Sequence, residues 1–365
     1  MVASKRASRL DVTGSLVDVN NYFYDQGWTD GLPIIPPTED LVFEMLEACP
    51  LAADQVLGRM PPMNGSVTPE KIAINAVMAG CKPDYMPVVV AAVKAVMQPQ
   101  FNVAAITTTT GGAAPAIIVS GPIADKLGIN SGTAVFGSGH QANAAIGRAL
   151  RLTMRNMGGA TVHTMEKSTH GWPGKYTMCF AENQAASPWE PVHTGLGYEP
   201  NSNVVIVVAV RGIHTFVEGA QETGDGVLET ICMAVKGAGI SAYYYQLRGA
   251  SPILVIGPEH AAEISKSGYD RESVKQYLFD NVRIPLYELK DRGHWGARGW
   301  PEEWEQQGEE FGIPMALDPD RYIVVVAGGD GRHSSWLLPW SATQRAVEII
   351  AVSYTHLTLP TKRIV

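Results

Sequence analysis

The sequence predicts an α/β protein made of two duplicated α/β halves, with mixed or parallel sheets flanked by helices. The first observation is a repeat: "APAIIVSGPIADKLG" (residues 114–128) and "SPILVIGPEHAAEISKSG" (residues 251–268) share Pro, a short apolar run, Gly-Pro and a helix that ends in Gly. The second is that runs such as "VVIVVAV" and "YIVVVA" show no polar alternation. Strands covered on both faces have this pattern.

Composition narrows the class of protein. The chain has 365 residues, 45% hydrophobic and 18% charged, which is enough for two ordinary domains or one large duplicated one. A net charge of -8 without a Lys/Arg block argues against a nucleic-acid partner. The N-terminus has no apolar signal core and no run of eighteen apolar residues occurs, so we expect a cytoplasmic protein without a membrane partner. Four dispersed cysteines without a C-x-x-C pair predict reduced thiols.

The elements of the first half follow from local signals. Residues 1–65 are expected to form a Pro-rich arm and a helix that Thr38 caps and Pro50 ends. "TPEKIAINAVMAG" predicts a helix with Thr68 as its cap and Pro69 at the first helical position. The segment "PDYMPVVVAAVKAVM" predicts a third helix. The strand "FNVAAITTT", the loop "TGGAAP", the strand "AIIVSG" and the helix "PIADKLG" follow.

The second half repeats this order. "VLETICMAVKGAG" predicts a helix, "ISAYYYQL" a strand, "RGASP" a loop, "ILVIG" a strand and "PEHAAEISKSG" a helix. Another pair is "NVVIVVAVRGIHTF" (residues 203–216) and "RYIVVVAGGDGRHSSW" (residues 321–336), each interpreted as an apolar strand that runs into a Gly-containing turn, an Arg and a His. We infer a gene duplication, with a first half at 66–222 and a second half at 223–351.

The last residues have a different character. "VSYTHLTLPT" (residues 352–361) is similar to one reading frame of a sequencing adapter. The preceding "SATQRAVEIIA" is interpreted as a helix that runs into it without a stop signal. We therefore expect residues 352–365 to be non-native read-through, with the native C-terminus missing.

Two glycine-containing turns are candidate anion sites. "ITTTTGGAAP" places Thr108 and Thr109 after the expected strand, where hydroxyls and N–H groups can hold a carboxylate or phosphate; the alternative is a solvated turn. Gly137-x-Gly139-x-x-Ala142 at a helix start matches a dinucleotide fingerprint, or more broadly an anion site at a helix N-terminus. The candidate substrate-binding residues here are Thr108, Thr109, Gly137, Ser138, Gly139 and Asn143.

A long loop, residues 156–200, has no counterpart in the second half. Loops of this length in compact domains are usually functional or disordered, and its aromatic content argues against disorder. Its candidate catalytic residues are Lys175 as an electrophile, Glu182 or His170 as a general base and Cys179 as a nucleophile. The alternative is a structural lid with surface charges. The histidine spacing matches no metal motif, so no metal ligands are assigned.

Strand ends supply further candidates. His214 and His333 follow the two matched strands, and with Ser334 they are expected to converge on a shared crevice; a structural role for each histidine is the alternative. "RGHWGARGWPEEWEQQGEEFG" (residues 292–312) is aromatic and predicts an opposing lid or an arm on a partner subunit of a homo-oligomer.

Several segments carry a family resemblance: "DGLPIIPPTED", "KIAINAVMAGCKPDYMPVV", "GPIADKLGINSG", "ANAAIGRALRL" and "THGWPGKYTMCFAENQAASPWEPVH". In these the chain resembles uncharacterised bacterial proteins of the UGSC (seleno)protein group. The Cys- or selenocysteine-Gly-Ser-Cys motif of that group does not occur here. The resemblance therefore implies no redox role and assigns no catalytic residue.

The preferred interpretation is an enzyme that acts on a small anionic metabolite in the cleft between the halves, with residues 163–193 as its lid and its cofactor undetermined. One alternative is a non-catalytic small-molecule-binding or interaction protein. Another is a nicotinamide-dependent oxidoreductase that uses the Gly137 turn. The first requires Lys175, Glu182 and a histidine to converge in one pocket, and the last requires a strand of five or more residues to lead into Gly137.

Overall fold

The computed structural model describes residues 7–238, 250–293, 295–297 and 299–351. The described helices are α1 (Leu16–Asp25), α2 (Glu39–Glu47), α3 (Pro69–Ala79), α4 (Met86–Val96), α5 (Val103–Thr108), α6 (Ile123–Leu127), α7 (Gln141–Gly158), α8 (Gly224–Gly237), α9 (Pro258–Lys266), α10 (Arg271–Asn281), α11 (Leu286–Leu289) and α12 (Glu302–Glu305). The strands are β1 (Gly58–Met60), β2 (Gly65–Val67), β3 (Ala114–Ser120), β4 (Cys179–Ala181), β5 (Val204–Val217), β6 (Ile253–Ile256), β7 (Arg283–Pro285), β8 (Gly312–Pro314), β9 (Ile323–Val326), β10 (His333–Pro339) and β11 (Ala346–Ile349).

Helices with strong cap signals form where the sequence places them. The Thr38 side chain accepts a hydrogen bond from the Leu41 N–H at the start of α2, and the Thr68 side chain accepts one from the Lys71 N–H at the start of α3. Gly80 ends α3 with a φ of 85°, in the left-handed region that glycine adopts without strain. These predicted boundaries are confirmed.

One mixed sheet carries the fold. Its strand order is β4-β3-β5-β10-β6-β9, and β11 pairs with β5 beside this path. The β3/β4 and β6/β9 pairs are parallel and the other pairs are antiparallel. Because β5 pairs with β10, the sheet is continuous across the proposed boundary between the halves. The predicted α/β class, a mixed sheet flanked by helices, is confirmed.

The two Gly-Pro corners occupy corresponding places in this order. β3 and β6 each have a parallel neighbour on one side and an antiparallel neighbour on the other. Gly121 follows β3, and a methyl group on it would run into the carbonyl oxygen of Ser202, just before the antiparallel β5. Gly257 follows β6, and a methyl group there would run into the carbonyl oxygen of His333, at the start of the antiparallel β10. This order supports a common origin of the halves, which stays a prediction.

The second predicted match between the halves does not hold. β5 lies antiparallel to its neighbour β3, whereas β9 lies parallel to its neighbour β6. The expected turn at Gly212 is absent as well, since β5 continues through this residue to Val217. Similar apolar composition suggested the match, but composition does not encode the direction of a strand in a sheet. By position, β5 corresponds to β10.

Two predicted elements have the other secondary structure. "FNVAAITTT" forms a 3-10 turn at Pro99–Phe101 and then α5, with the left-handed Asn102 (φ 53°) between them. "SATQRAVEIIA" forms β11 because residues 204–207 of the long β5 offer a free edge, to which Ala346–Ile349 pair. Short apolar runs are ambiguous between helix and strand, and tertiary pairing decided here. The predicted "ISAYYYQL" strand and the predicted read-through at 352–365 lie outside the described residues.

The apolar runs are explained by packing on both faces of the sheet. Along β5, Val205 and Val207 pack against the helices of the first half, while Ile206 and Val208 face the opposite way. In the second half, Leu254 packs in the core formed with α8, α9 and α10. The opposite face is one cluster to which strands of both halves contribute. The apolar runs are therefore buried on both faces, and this second face is lined by residues from strands and loops.

No single helix among the described residues has the length and apolar character needed to cross a membrane; the pair Pro83–Val96 and Pro99–Thr108 passes that test only jointly, with a bend of 72°.

Replacing Gly121 or Gly257 by Ala should destabilise the protein by about 2 kcal/mol or more, because the methyl group meets a backbone carbonyl and, at Gly121, the φ of 115° adds strain. The matched control is Gly237→Ala at the end of α8, where nothing lies within 4 Å of an added methyl group; its effect should stay within about 1 kcal/mol. Urea unfolding measures the free energy of unfolding of the corner variants and of the control. Unchanged stability in the corner variants would show that the corners do not require glycine.

Candidate functional site

Lys175 holds the long loop against the rest of the first half. Its Nζ lies 2.8 Å from Glu166 Oε2, 2.8 Å from Ser168 Oγ and 3.2 Å from the carbonyl oxygen of Ala113. Three acceptors match the three donors of an ammonium group. Burial lowers the pKa of Lys175, and the neighbouring Glu166 opposes this shift. All donors of Lys175 are thus used in holding the loop against the segment before β3.

Glu182 belongs to a different and fully buried group of side chains, here called the Ser120 cluster: Ser120, Glu182, His193 and Arg271. Ser120 Oγ lies 2.6 Å from Glu182 Oε2 and 2.7 Å from His193 Nδ1. Arg271 Nη2 donates to Glu182 Oε1 at 2.9 Å. Ser120 and His193 are 0% exposed, Glu182 3% and Arg271 6%. The cluster joins the ends of β3 and β4, the long loop and the first residue of α10.

The geometry of the Ser120 cluster differs from that of a nucleophilic triad. In such a triad the histidine lies between the serine and the acid. Here Ser120 lies between Glu182 and His193, and His193 Nε2 is 3.0 Å from the carbonyl oxygen of Glu199. The hydroxyl has one proton but two close partners, so one partner must donate the second hydrogen bond. The burial of all four side chains leaves no access for a substrate.

Arg271 ties the end of the long loop to the second half. It donates to the carbonyl oxygen of Glu190, and its guanidinium carbon lies 5.8 Å from the centre of the Trp189 ring. Trp189 Nε1 in turn donates to the carbonyl oxygen of Tyr269 at 3.0 Å. Burial lowers the pKa of Arg271, and the charge of Glu182 opposes this shift. Since arginine stays protonated in proteins, the cluster contains a buried ion pair between the halves.

A cavity of about 410 Å³ lies at the seam between the halves. Its size falls within the roughly 300–1,000 Å³ of small-molecule pockets. Two cations line it: Lys275, whose side chain is 6% exposed, and Arg345. Burial lowers the pKa of Arg345. This seam cavity is lined by Gln98, Gln100, Gly195, Leu196, Tyr198, Lys275, Asp320, Arg345 and Val347.

The structure does not bring the four candidate catalytic residues together. Glu182 contacts His193 through Ser120, while Lys175 pairs with Glu166. His170 is exposed on the long loop. Cys179 lies in β4, and burial raises its pKa well above that of a reactive thiol. The convergence that a catalytic site in this loop requires is not found.

The candidate substrate-binding residues near the two glycine turns make local contacts. Thr108 Oγ1 donates to the carbonyl oxygen of Ala104, and Thr109 Oγ1 accepts from the Gly111 N–H at 3.0 Å. The buried Asn143 side chain bonds both the N–H and the carbonyl oxygen of Asn130. These contacts of Thr108, Thr109 and Asn143 are made within the protein and shape the loops.

No strand precedes the Gly137 turn. The residues before it form turns and bends, and Gly137, Ser138 and Gly139 are exposed ahead of α7. His140, which caps this helix, makes no side-chain cap hydrogen bond. The structural condition stated for a nicotinamide site is therefore not met.

His214 and His333 do not converge. His214 pairs with Trp336 in the β5/β10 ladder, whereas His333 pairs with Val217 at its end and is exposed. Three ladder positions therefore separate the two side chains. The expectation of a shared crevice failed because the matched segments have different directions in the sheet.

Ser334 has another partner, which sequence reasoning missed. Its Oγ lies 2.8 Å from Nδ1 of the buried His260 and accepts from the Gly257 N–H at 3.2 Å. His260 Nε2 lies 2.9 Å from the carbonyl oxygen of Glu218, and burial lowers the pKa of His260. This group fixes the second Gly-Pro corner.

Sequence reasoning also missed Ser120, His193, Arg271, Lys275 and Arg345. One signal was available: Asp270 caps α10, so Arg271 occupies the first helical position. A cation there opposes the helix dipole, which indicates a role outside the helix. The contacts within the Ser120 cluster join residues 62 to 89 positions apart, and no local pattern reports them.

Fold and site together define an α/β protein whose halves share one mixed sheet and are joined by a buried ion-pair cluster beside a polar cavity. No protein-family model matches the chain. A search of curated proteins likewise gives no significant match. The resemblance to the UGSC group therefore stays a prediction. Among the described residues, no three His, Cys, Asp or Glu side chains are grouped to hold a metal ion.

Arg271→Met should destabilise the protein by about 3–5 kcal/mol, because it leaves the buried Glu182 carboxylate without its cation. Lys266→Met is the matched control: its partner Glu263 is on the same helix and the lysine side chain is 69% exposed, so the loss should stay below about 0.5 kcal/mol. Denaturant unfolding at neutral pH measures the difference. Equal losses in the two variants would contradict the role of the cluster as a clamp.

Glu218→Gln should cost stability only where Glu218 is ionised. Hydrogen bonds from the Thr230 hydroxyl and then from the Gln221 and Ala220 N–H groups lower the pKa of Glu218 from 4.5 to about 2. A depressed folded-state pKa gives stability above pH 4.5 that is lost as the pH falls towards 2. The gap in melting temperature between wild type and Glu218→Gln should shrink over that window. The exposed Glu229→Gln serves as control, and a gap independent of pH would refute the assignment.

Proposed function

We propose that this protein binds a small anionic metabolite in the seam cavity. The observation that carries the proposal is that a buried lysine and an arginine, Lys275 and Arg345, line one cavity between the halves. A duplicated origin of the halves and a cytoplasmic location, in keeping with four free buried cysteines, belong to the same proposal.

The cations of the cavity have donors to spare. Burying an ammonium group costs several kcal/mol unless its charge is matched and its donors are used. Among the described residues, the acceptor that Lys275 Nζ contacts is Glu272 Oε1, at 2.7 Å. Arg345 donates to the carbonyl oxygen of Asp320. An ammonium has three donors and a guanidinium five, so an anionic ligand supplies what the protein does not.

Neutral polar groups complete the lining and suit recognition of a polar ligand. Gln98 and Gln100 reach the cavity from the first half, with Tyr198 beside them. Gln98 Nε2 is held by the carbonyl oxygen of Val347 at 2.8 Å, which fixes the amide at the wall. Asp320, an exposed acid, lies in the lining as well and favours ligands that keep their anionic groups near Lys275 and Arg345.

Binding has more support than catalysis. An enzyme built on Lys175, Glu182 and a histidine needs these groups in one pocket, and none of them lines the seam cavity. The complete burial of Ser120 and His193 also separates the one hydroxyl-imidazole contact of that region from solvent. We therefore propose the non-catalytic, small-molecule-binding alternative as the function of this site.

Lys275→Met should weaken binding of succinate, a small dianion, by about tenfold or more, because it removes the buried charge that faces the cavity. Isothermal titration calorimetry on the full chain measures this, with Lys266→Met as a control lysine far more exposed to solvent. Melting temperatures verify that both variants fold. Failure of the wild type to bind succinate or inorganic phosphate, or equal binding by Lys275→Met, would contradict the proposal.

A further inference from the structure

Glu272 and Lys275 form an unequal ion pair at the seam cavity. The two residues lie three positions apart on α10, with Glu272 Oε1 2.7 Å from Lys275 Nζ. The glutamate side chain is 57% exposed and the lysine side chain 6%. The carboxylate therefore reaches the buried ammonium from the solvent side.

The pair is placed where the halves meet. A Cβ atom on Gly195, from the first half, would lie 3.2 Å from Glu272 Oε1 and 3.8 Å from Lys275 Nζ. Glu272 also acts on the second cation of the cavity: burial is the largest influence on the pKa of Arg345 and lowers it, while Glu272 is among the carboxylates that raise it. One exposed carboxylate thus pairs with Lys275 and acts electrostatically on Arg345.

The two partners respond differently to separation. An exposed carboxylate on a helix surface regains water when it leaves, so its own loss on separation is small. The ammonium, whose side chain is 6% exposed, regains little water, so a substitute anion stabilises it. Glu272 can therefore be exchanged for a ligand, whereas Lys275 cannot be left alone.

We infer that Glu272 is a built-in competitor for Lys275 that restricts the seam cavity to ligands with two anionic groups, such as dicarboxylates or phosphate monoesters. The inference rests on the proposed anion-binding function. A tethered carboxylate acts at an effective concentration on the order of millimolar or higher. A monocarboxylate only replaces the Glu272 carboxylate by another one, so its binding free energy is small. A dianion binds more tightly, because its second anionic group reaches Arg345.

Succinate and butyrate test this, since both have four carbons and they differ in one carboxylate. The wild type should bind succinate about tenfold more tightly than butyrate in calorimetric titrations. Glu272→Gln keeps the side-chain size but removes the competing charge. It should therefore raise butyrate affinity by about fivefold or more and reduce the ratio of succinate to butyrate affinity. Asp280→Asn is the matched control: it makes the same charge change on the same helix, but Asp280 contacts Gln276 and Arg283 rather than Lys275. Both affinities should stay within about twofold in this variant.

The outcomes separate the two proposals. If neither ligand binds the wild type or Glu272→Gln, the anion-binding function itself fails. If succinate binds the wild type but Glu272→Gln leaves the succinate-to-butyrate ratio unchanged, the competitor is refuted and the binding site stands. An equal gain in Glu272→Gln and Asp280→Asn would show a general charge effect and also overturn the inference. Melting temperatures verify that each variant is folded.

Discussion

The buried ion pair between Arg271 and Glu182 is the interaction on which the arrangement of the halves depends. It joins the first residue of α10 to the segment after β4, and Ser120 and His193 extend it to β3 and the long loop. A charge out of water is tolerated only with its partner in place, so the pair permits one relative placement of these elements and penalises others. The continuous sheet supplies contact area between the halves, and the ion pair supplies one defined contact between them.

The same contact shapes the cavity beside it. Lys275 follows Arg271 by about one helical turn on α10, and Gly195 follows His193 by two residues on the long loop. Holding Arg271 and His193 therefore places one wall of the cavity from each half. The long loop is thus a structural element that connects the halves, and its end borders the seam cavity. Its charged residues are used within the protein, and the proposed ligand contacts lie on α10 and in the segment that leads into β11.

Three buried cations differ in the acceptors that compensate their charge. Lys175 contacts three acceptors, and Arg271 contacts a buried carboxylate and a carbonyl oxygen. Both are held by buried or partly buried groups that cannot leave without disrupting the fold. Lys275 is as buried as Arg271, but its acceptor is an exposed glutamate. Of these three cations, Lys275 alone lines the seam cavity, and the proposed ligand exchange rests on this difference.

The sequence by itself determined what neighbouring residues control. Thr38 and Thr68 set helix starts, Gly80 set a helix end, and the apolar runs marked β3, β5 and β6, because caps and periodicity act within a few residues. Only the tertiary structure decided that residues 346–349 form a strand, that His214 and His333 lie apart, and that Glu182 meets Arg271 rather than Lys175. These outcomes depend on strand direction and on contacts between residues 89 or more positions apart in the sequence. Local sequence does not specify such contacts, because their free energy arises only when the sheet has assembled.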